Sequence, residues 1–186
     1  MLPALAAIAV LAHDIVSLLY GNAWLGAVPT IPWLCLAYAV SSLFTLSTPA
    51  LTGVGKPYAS IGPTALLVIV KIAFAWWLMD GTLRTFAVAM ALGQLLSAPV
   101  MVFMLNRHLG LPVLAWLKNT LSVFALTVST GTICWVTRIL LPDGWPTSLT
   151  IVVTGSAAVI AFILVSWMLS LPISHEIQNF FKKLRK

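Results

Sequence analysis

Two ionisable side chains, Lys71 and Asp14, stand inside long apolar runs, where a charge needs a reason to be. A lysine about fifteen residues into an apolar run of about 23 lies near the centre of any bilayer that run crosses, at a cost of roughly 2.5–3.5 kcal/mol. One account is structural: the flexible stem snorkels outward or caps a carbonyl between helices. The other is functional: the ammonium faces a water-filled cavity and holds an anionic group such as a lipid-linked phosphate. Asp14, beside His13, is the other ionisable group at comparable depth. An Asp14–Lys71 ion pair would satisfy both charges, either as glue between helices or as a coupling-ion site. His13 reads as a hydrogen-bonded interior residue, with a proton relay left open by the pKa range of imidazole.

Other chemistries find little material. Membrane enzymes acting on polyprenyl phosphates need clustered carboxylates for a metal or a general base. The four acids, Asp14, Asp80, Asp143 and Glu176, are scattered singly. Cys35 and Cys134 are isolated in apolar runs, with no second ligand at metal spacing, so both read as packed thiols. The letters GVGKP suggest a phosphate-binding loop, but that motif needs Gly at position 50 and Ser or Thr at position 57. The chain has Ala50 and Pro57. No enzyme, no metal site and no cofactor is therefore expected.

The elements that must position these side chains are helices in a membrane. A mean hydropathy of +1.05, with 61% hydrophobic and 8% charged residues, is incompatible with a soluble globule. The expected fold is an all-α integral membrane protein of about six transmembrane helices, which its 186 residues accommodate with short loops. The predicted spans are 2–20, 32–52, 57–79, 82–105, 113–141 and 147–171. Gly21, Asn22, Gly26, Pro29 and Pro32 punctuate the first loop, which Trp24 and Trp33 rim, and Gly53 to Pro57 forms a tight turn. The second span is rich in hydroxyls, Ser41, Ser42, Thr45, Ser47 and Thr48, which pack helices or line a polar path.

A net charge of +6 would suggest nucleic acid in a soluble protein. Here the basic residues sit at predicted helix ends, so anionic headgroups are the nearer partner and no nucleic-acid binding is expected. Alternating the spans places Lys56, Arg107, Lys118, Lys182, Lys183, Arg185 and Lys186 on one side and only Arg84 and Arg138 on the other. The positive-inside rule makes the first side cytoplasmic, with both chain termini there. Within residues 172–186, Ile177, Phe180, Phe181 and Leu184 recur at helical steps between lysines. That tail is expected to lie along the headgroups, its Lys182, Lys183, Arg185 and Lys186 on anionic lipid.

The phrases LAHDIVSLLYGNAW (11–24) and TPALTGVGKPYASIG (48–62) resemble the carboxy-terminal half of bacterial polysaccharide flippases. These Wzx-like transporters belong to the superfamily of multidrug, oligosaccharidyl-lipid and polysaccharide exporters. The matching positions are Leu18, Leu19, Tyr20, Gly21, Trp24 and Ala27, then Gly55, Lys56 and Pro57. The likeness covers about 110 residues, with the last two spans alike in hydropathy only, and His13 and Asp14 depart from a usually less polar position. The resemblance implies the last six of fourteen helices in a two-lobe transporter: residues 1–112 in the second lobe, 113–171 as two additional helices and 172–186 as the tail. It implies movement of an undecaprenyl-diphosphate-linked oligosaccharide across the bacterial inner membrane by alternating access, with Lys71 nearest the anionic head and Asp14 its partner. It further implies that these helices work with an amino-terminal lobe or a split partner chain. A drug or ion exporter of the same superfamily, or a structural membrane subunit, stays open.

Overall fold

The structure is a computed structural model; it describes residues 1–78, 80–110, 113–141 and 145–168, with the backbone alone for 113–119 and 168. Asp143, Glu176 and the tail cations Lys182, Lys183, Arg185 and Lys186 lie outside the described residues, as do the side chain of Lys118 and all of 172–186. The described residues are helical throughout, with no strand among them. They form α1 (Leu2–Val10), α2 (Ala12–Leu19), α3 (Ile31–Ser42), α4 (Ser47–Gly53), α5 (Ile61–Trp77), α6 (Leu83–Leu109), α7 (Val113–Leu140) and α8 (Thr147–Met168). Short 3-10 segments at Asn22–Thr30 and Pro57–Ser60 lead into α3 and α5. Five helical segments are long and apolar enough to cross a bilayer, or six if the bent pair α1–α2 counts as one span. The chain is a multi-pass membrane protein.

Two of the expected spans are built differently from the sequence reading. The first is not one helix over 2–20: it breaks at Leu11, and α2 turns 72° away from α1. No Gly or Pro marks the break; the polar residues of α2, His13 and Asp14, begin just beyond it. The second starts earlier than position 32, because the 22–30 stretch expected as a loop is a 3-10 helix that runs directly into α3. That span also loosens between α3 and α4. There Leu43, Phe44 and Thr45 turn to bonds with the carbonyls three residues earlier, Val40, Ser41 and Ser42, while the hydroxyl of Ser42 takes the Ala39 carbonyl. Local side-chain bonds of this kind compete with the regular ladder.

The turn after α4 closes as its sequence predicts. Lys56 N–H donates to the Leu51 carbonyl and Gly55 N–H to that of Thr52, the paired bonds of a Schellman cap. Such a cap needs a left-handed residue between them, and Gly55 has φ of +75°.

The long helices pack in a row rather than around a centre. α5 lies on α6, α6 on α3, α3 on α1, α1 on α7 and α7 on α8, while α2 reaches α8. One packed cluster, Leu11, Cys134 and Ala158 with Ala7, Val10 and Ile15, joins the bent first segment to α7 and α8. Another, Phe44, Leu51 and Leu105, fastens the loosened second span to α6. Lipid tails are as apolar as leucine, so small residues that let backbones approach carry much of such packing. The buried residues of α6 are accordingly mostly small, Ala87, Ala89, Ala91, Gly93 and Ser97, with Gln94 and Leu105 the larger ones.

Candidate functional site

Lys71 sits on α5, six residues before that helix ends at Trp77, which is about 9 Å along the axis. It is half-buried and lines an open groove of about 810 Å³ with Val68, Ile72, Ala75 and Trp76 from α5 and Phe86 and Met90 from α6. Every other lining side chain is apolar. Among the described residues, no carboxylate lies within ion-pair distance of Lys71. The groove therefore combines one ammonium with walls suited to hydrocarbon, and an anion with an apolar tail satisfies both.

Gly93 lets α6 approach α5 closely at Lys71. A Cβ built at Gly93 would fall 2.6 Å from Lys71 Cγ, 3.3 Å from its Cα and 3.4 Å from its N. The α5 and α6 backbones thus touch at the lysine itself, and glycine is the residue that permits it. Nothing in the spacing of the sequence identified Gly93 as the neighbour of Lys71. The small residues Ala87, Ala89, Ala91 and Gly93 could have marked α6 as the packing helix.

Asp14 does not pair with Lys71, as one sequence reading suggested. Arg138 Nε donates to Asp14 Oδ2 at 2.5 Å and Arg138 Nη2 to Oδ1 at 2.9 Å, a two-pronged bond across 124 positions of sequence. The reason is topological. α2 and the end of α7 meet at one side of the row, whereas α5 packs on α6 at the other. The carboxylate side chain is 8% exposed and the guanidinium 36%, so the pair is embedded at its acidic end and reaches outward at its basic end. His13 Nδ1 lies 3.7 Å from Asp14 Oδ1, but its side chain is 59% exposed. It is therefore not the interior residue expected. Arg138 had been used only as a marker of orientation, and its role as the partner of Asp14 carries no local signal.

Three hydroxyls of the second span bond back to their own helical turns: Ser42 donates to the Ala39 carbonyl, Thr45 to that of Ser41 and Thr52 to that of Thr48. These bonds answer to helix geometry. Outside the spans, Asp80 Oδ1 accepts the Thr85 hydroxyl at 2.5 Å, the Thr82 hydroxyl at 3.0 Å and the Thr82 N–H at 3.1 Å. Those bonds, that from the Thr85 hydroxyl foremost, hold the Asp80 carboxyl below the usual carboxylate range. Among the described residues, no three His, Cys, Asp or Glu side chains gather where they could hold a metal ion. Comparison with protein-family models, with curated proteins and with solved structures finds no match.

Proposed function

We propose that the chain forms part of a Wzx-like polysaccharide flippase, which passes an undecaprenyl-diphosphate-linked oligosaccharide across the bacterial inner membrane by alternating access. The observation that carries the proposal is the Lys71 groove, a lone ammonium among Val68, Ile72, Ala75, Trp76, Phe86 and Met90. A diphosphate on a polyprenyl chain offers the matching chemistry, an anionic head fused to a long apolar tail. In this proposal the helices work with an amino-terminal lobe or a split partner chain, the carboxy terminus is cytoplasmic, and Lys182, Lys183, Arg185 and Lys186 rest on anionic lipid.

The runner-up, a drug or ion exporter, would need an acidic side chain free to take a proton or sodium ion. Asp14 is the residue available for that, and its carboxylate is engaged by Nε and Nη2 of Arg138. That engagement favours the flippase.

The test is transport in the complete assembly, reconstituted in vesicles with a fluorescent polyprenyl-diphosphate oligosaccharide and a membrane-impermeant quencher. Lys71→Leu is expected to lower the rate of leaflet exchange at least tenfold, while Lys71→Arg keeps most of it. Unchanged exchange in the leucine variant would remove the proposal's support.

A further inference from the structure

Among the described helices α2 is unlike the rest. The long helices α5, α6, α7 and α8 are apolar around most of their circumference. In α2, Ala12–Leu19, the polar residues fall on one arc: at 100° per residue, His13, Ser17 and Asp14 span a contiguous 100°, and Ala12, Ile15, Val16, Leu18 and Leu19 occupy the remainder. A helix divided in this way suits a boundary between hydrocarbon and water.

Its direction agrees. If α1 follows the membrane normal, a straight continuation would carry the eight residues of α2 through about 12 Å of depth, and the 72° turn reduces that to about 4 Å. The level is fixed by α7. A Cβ built at Gly131 would fall 3.5 Å from Ala6 Cβ, Leu11 packs with Cys134, and Asp14 meets Arg138, two residues before α7 ends at Leu140. The turn therefore occurs where α7 is about to leave the membrane. Beyond α2, the exposed Tyr20 and Trp24 rings stand 6.3 Å apart, and such rings settle at headgroup depth.

We infer that α2 is not the second half of a transmembrane span but an interfacial helix, lying on the membrane surface with Leu18 and Leu19 in the acyl boundary and moored to α7 by the Asp14–Arg138 pair. The partner of this surface is the lipid headgroup layer itself. α2 carries no cation of its own, and Arg138 supplies the one that neutralises Asp14. With the charge cancelled, a carboxylate at the edge of the polar arc can be buried against α7 rather than in water. This inference does not depend on what Lys71 binds.

Nitroxide labels placed singly at His13, Ile15, Ser17, Leu18 and Leu19 of the full chain, in phosphatidylcholine–phosphatidylglycerol vesicles, test it through their relative exposure to oxygen and to a water-soluble nickel chelate. An interfacial α2 gives a depth profile that oscillates with the helix period. His13 and Ser17 labels then lie in the headgroups, and Leu18 and Leu19 labels about 5–10 Å deeper. A depth that changes steadily by about 1.5 Å per residue would show a straight span and overturn the inference. Arg138→Gln is expected to raise the mobility of the Leu18 and Leu19 labels, and unchanged mobility would remove the mooring. Should that variant fail to fold, the depth profile of the native pair decides the matter alone.

Discussion

Two half-buried cations among the described residues, Arg138 and Lys71, are treated differently. At one side of the row, Arg138 meets Asp14 in a fork of two hydrogen bonds, and the couple is neutral. At the other, Lys71 lines an apolar groove and no carboxylate of the described residues answers it. The side chains suit these places. A planar guanidinium holds a carboxylate in fixed geometry, whereas an ammonium is a compact charge on a flexible stem that can follow a ligand. The neutral couple reads as architecture. The lone cation reads as a place kept for something that comes and goes.

The sharpest way to break this comparison is to remove each cation and measure stability. Arg138→Ala should destabilise the fold by about 2–3 kcal/mol, below the roughly 3–5 kcal/mol of a fully buried pair because the Arg138 side chain is 36% exposed. Asp14→Asn combined with Arg138→Gln should recover part of that, since no buried charge is left alone. Lys71→Leu should leave stability unchanged or raise it by up to about 1 kcal/mol, because no partner is orphaned and an apolar side chain enters an apolar groove. Unfolding titrations in mixed detergent micelles give all three values. A Lys71→Leu loss as large as that of Arg138→Ala would erase the distinction.

A smaller effect tests how the lysine is held. Gly93→Ala places a Cβ against Lys71, and the two kinds of contact respond differently. Lys71 Cγ, at 2.6 Å, belongs to a flexible stem and can move, but the Cα at 3.3 Å and N at 3.4 Å belong to helix backbone. α5 and α6 must separate by a few tenths of an ångström, at a cost of about 1–2 kcal/mol. In a Lys71→Ala background the cost should fall, as the worst contact is gone. An equal cost in both backgrounds would mean that the backbones alone set the distance.

Much of this frame was legible in the sequence. The spans expected at 57–79, 82–105, 113–141 and 147–171 correspond to α5, α6, α7 and α8, because an apolar run of bilayer length has one way to satisfy its backbone in lipid. The first two spans were harder. The break at Leu11 has no Gly or Pro to announce it and depends on α2 docking against α7 and α8, a tertiary event. The loosened stretch after Ser42 was visible only as a hydroxyl-rich segment whose side chains could pack or line a path. Of the site, Lys71 and Asp14 stood out by charge alone. Their partners did not, since Arg138 and Gly93 become neighbours only when helices distant in sequence meet.

The loop joining α5 to α6 gives the smaller effects. Thr82 Oγ1 accepts the Thr85 N–H at 3.3 Å as the amino-terminal cap of α6, so Thr82→Ala should cost about 1 kcal/mol, read as a lower midpoint in the same titrations. Because α6 carries Gly93, a frayed first turn would also loosen the Lys71 groove, and the link can be read from the mobility of a label at Met90.

The smallest effect is a dependence on acid. Asp80 accepts from the Thr85 and Thr82 hydroxyls and the Thr82 N–H, and its carboxyl is held below the ordinary value of 3.8. A carboxyl whose pKa is lower folded than unfolded adds stability that is fully present above the unfolded value. That stability fades as pH falls through the folded one, so the loss belongs below about pH 4. In Asp80→Asn nothing titrates at that position, and the amide can still accept from Thr85. The difference in thermal midpoint between Asp80→Asn and the native chain should therefore be constant from pH 7 to pH 5 and shrink below pH 4. A difference that stays flat into acid would mean that the Thr85 and Thr82 bonds do not favour the ionised carboxylate.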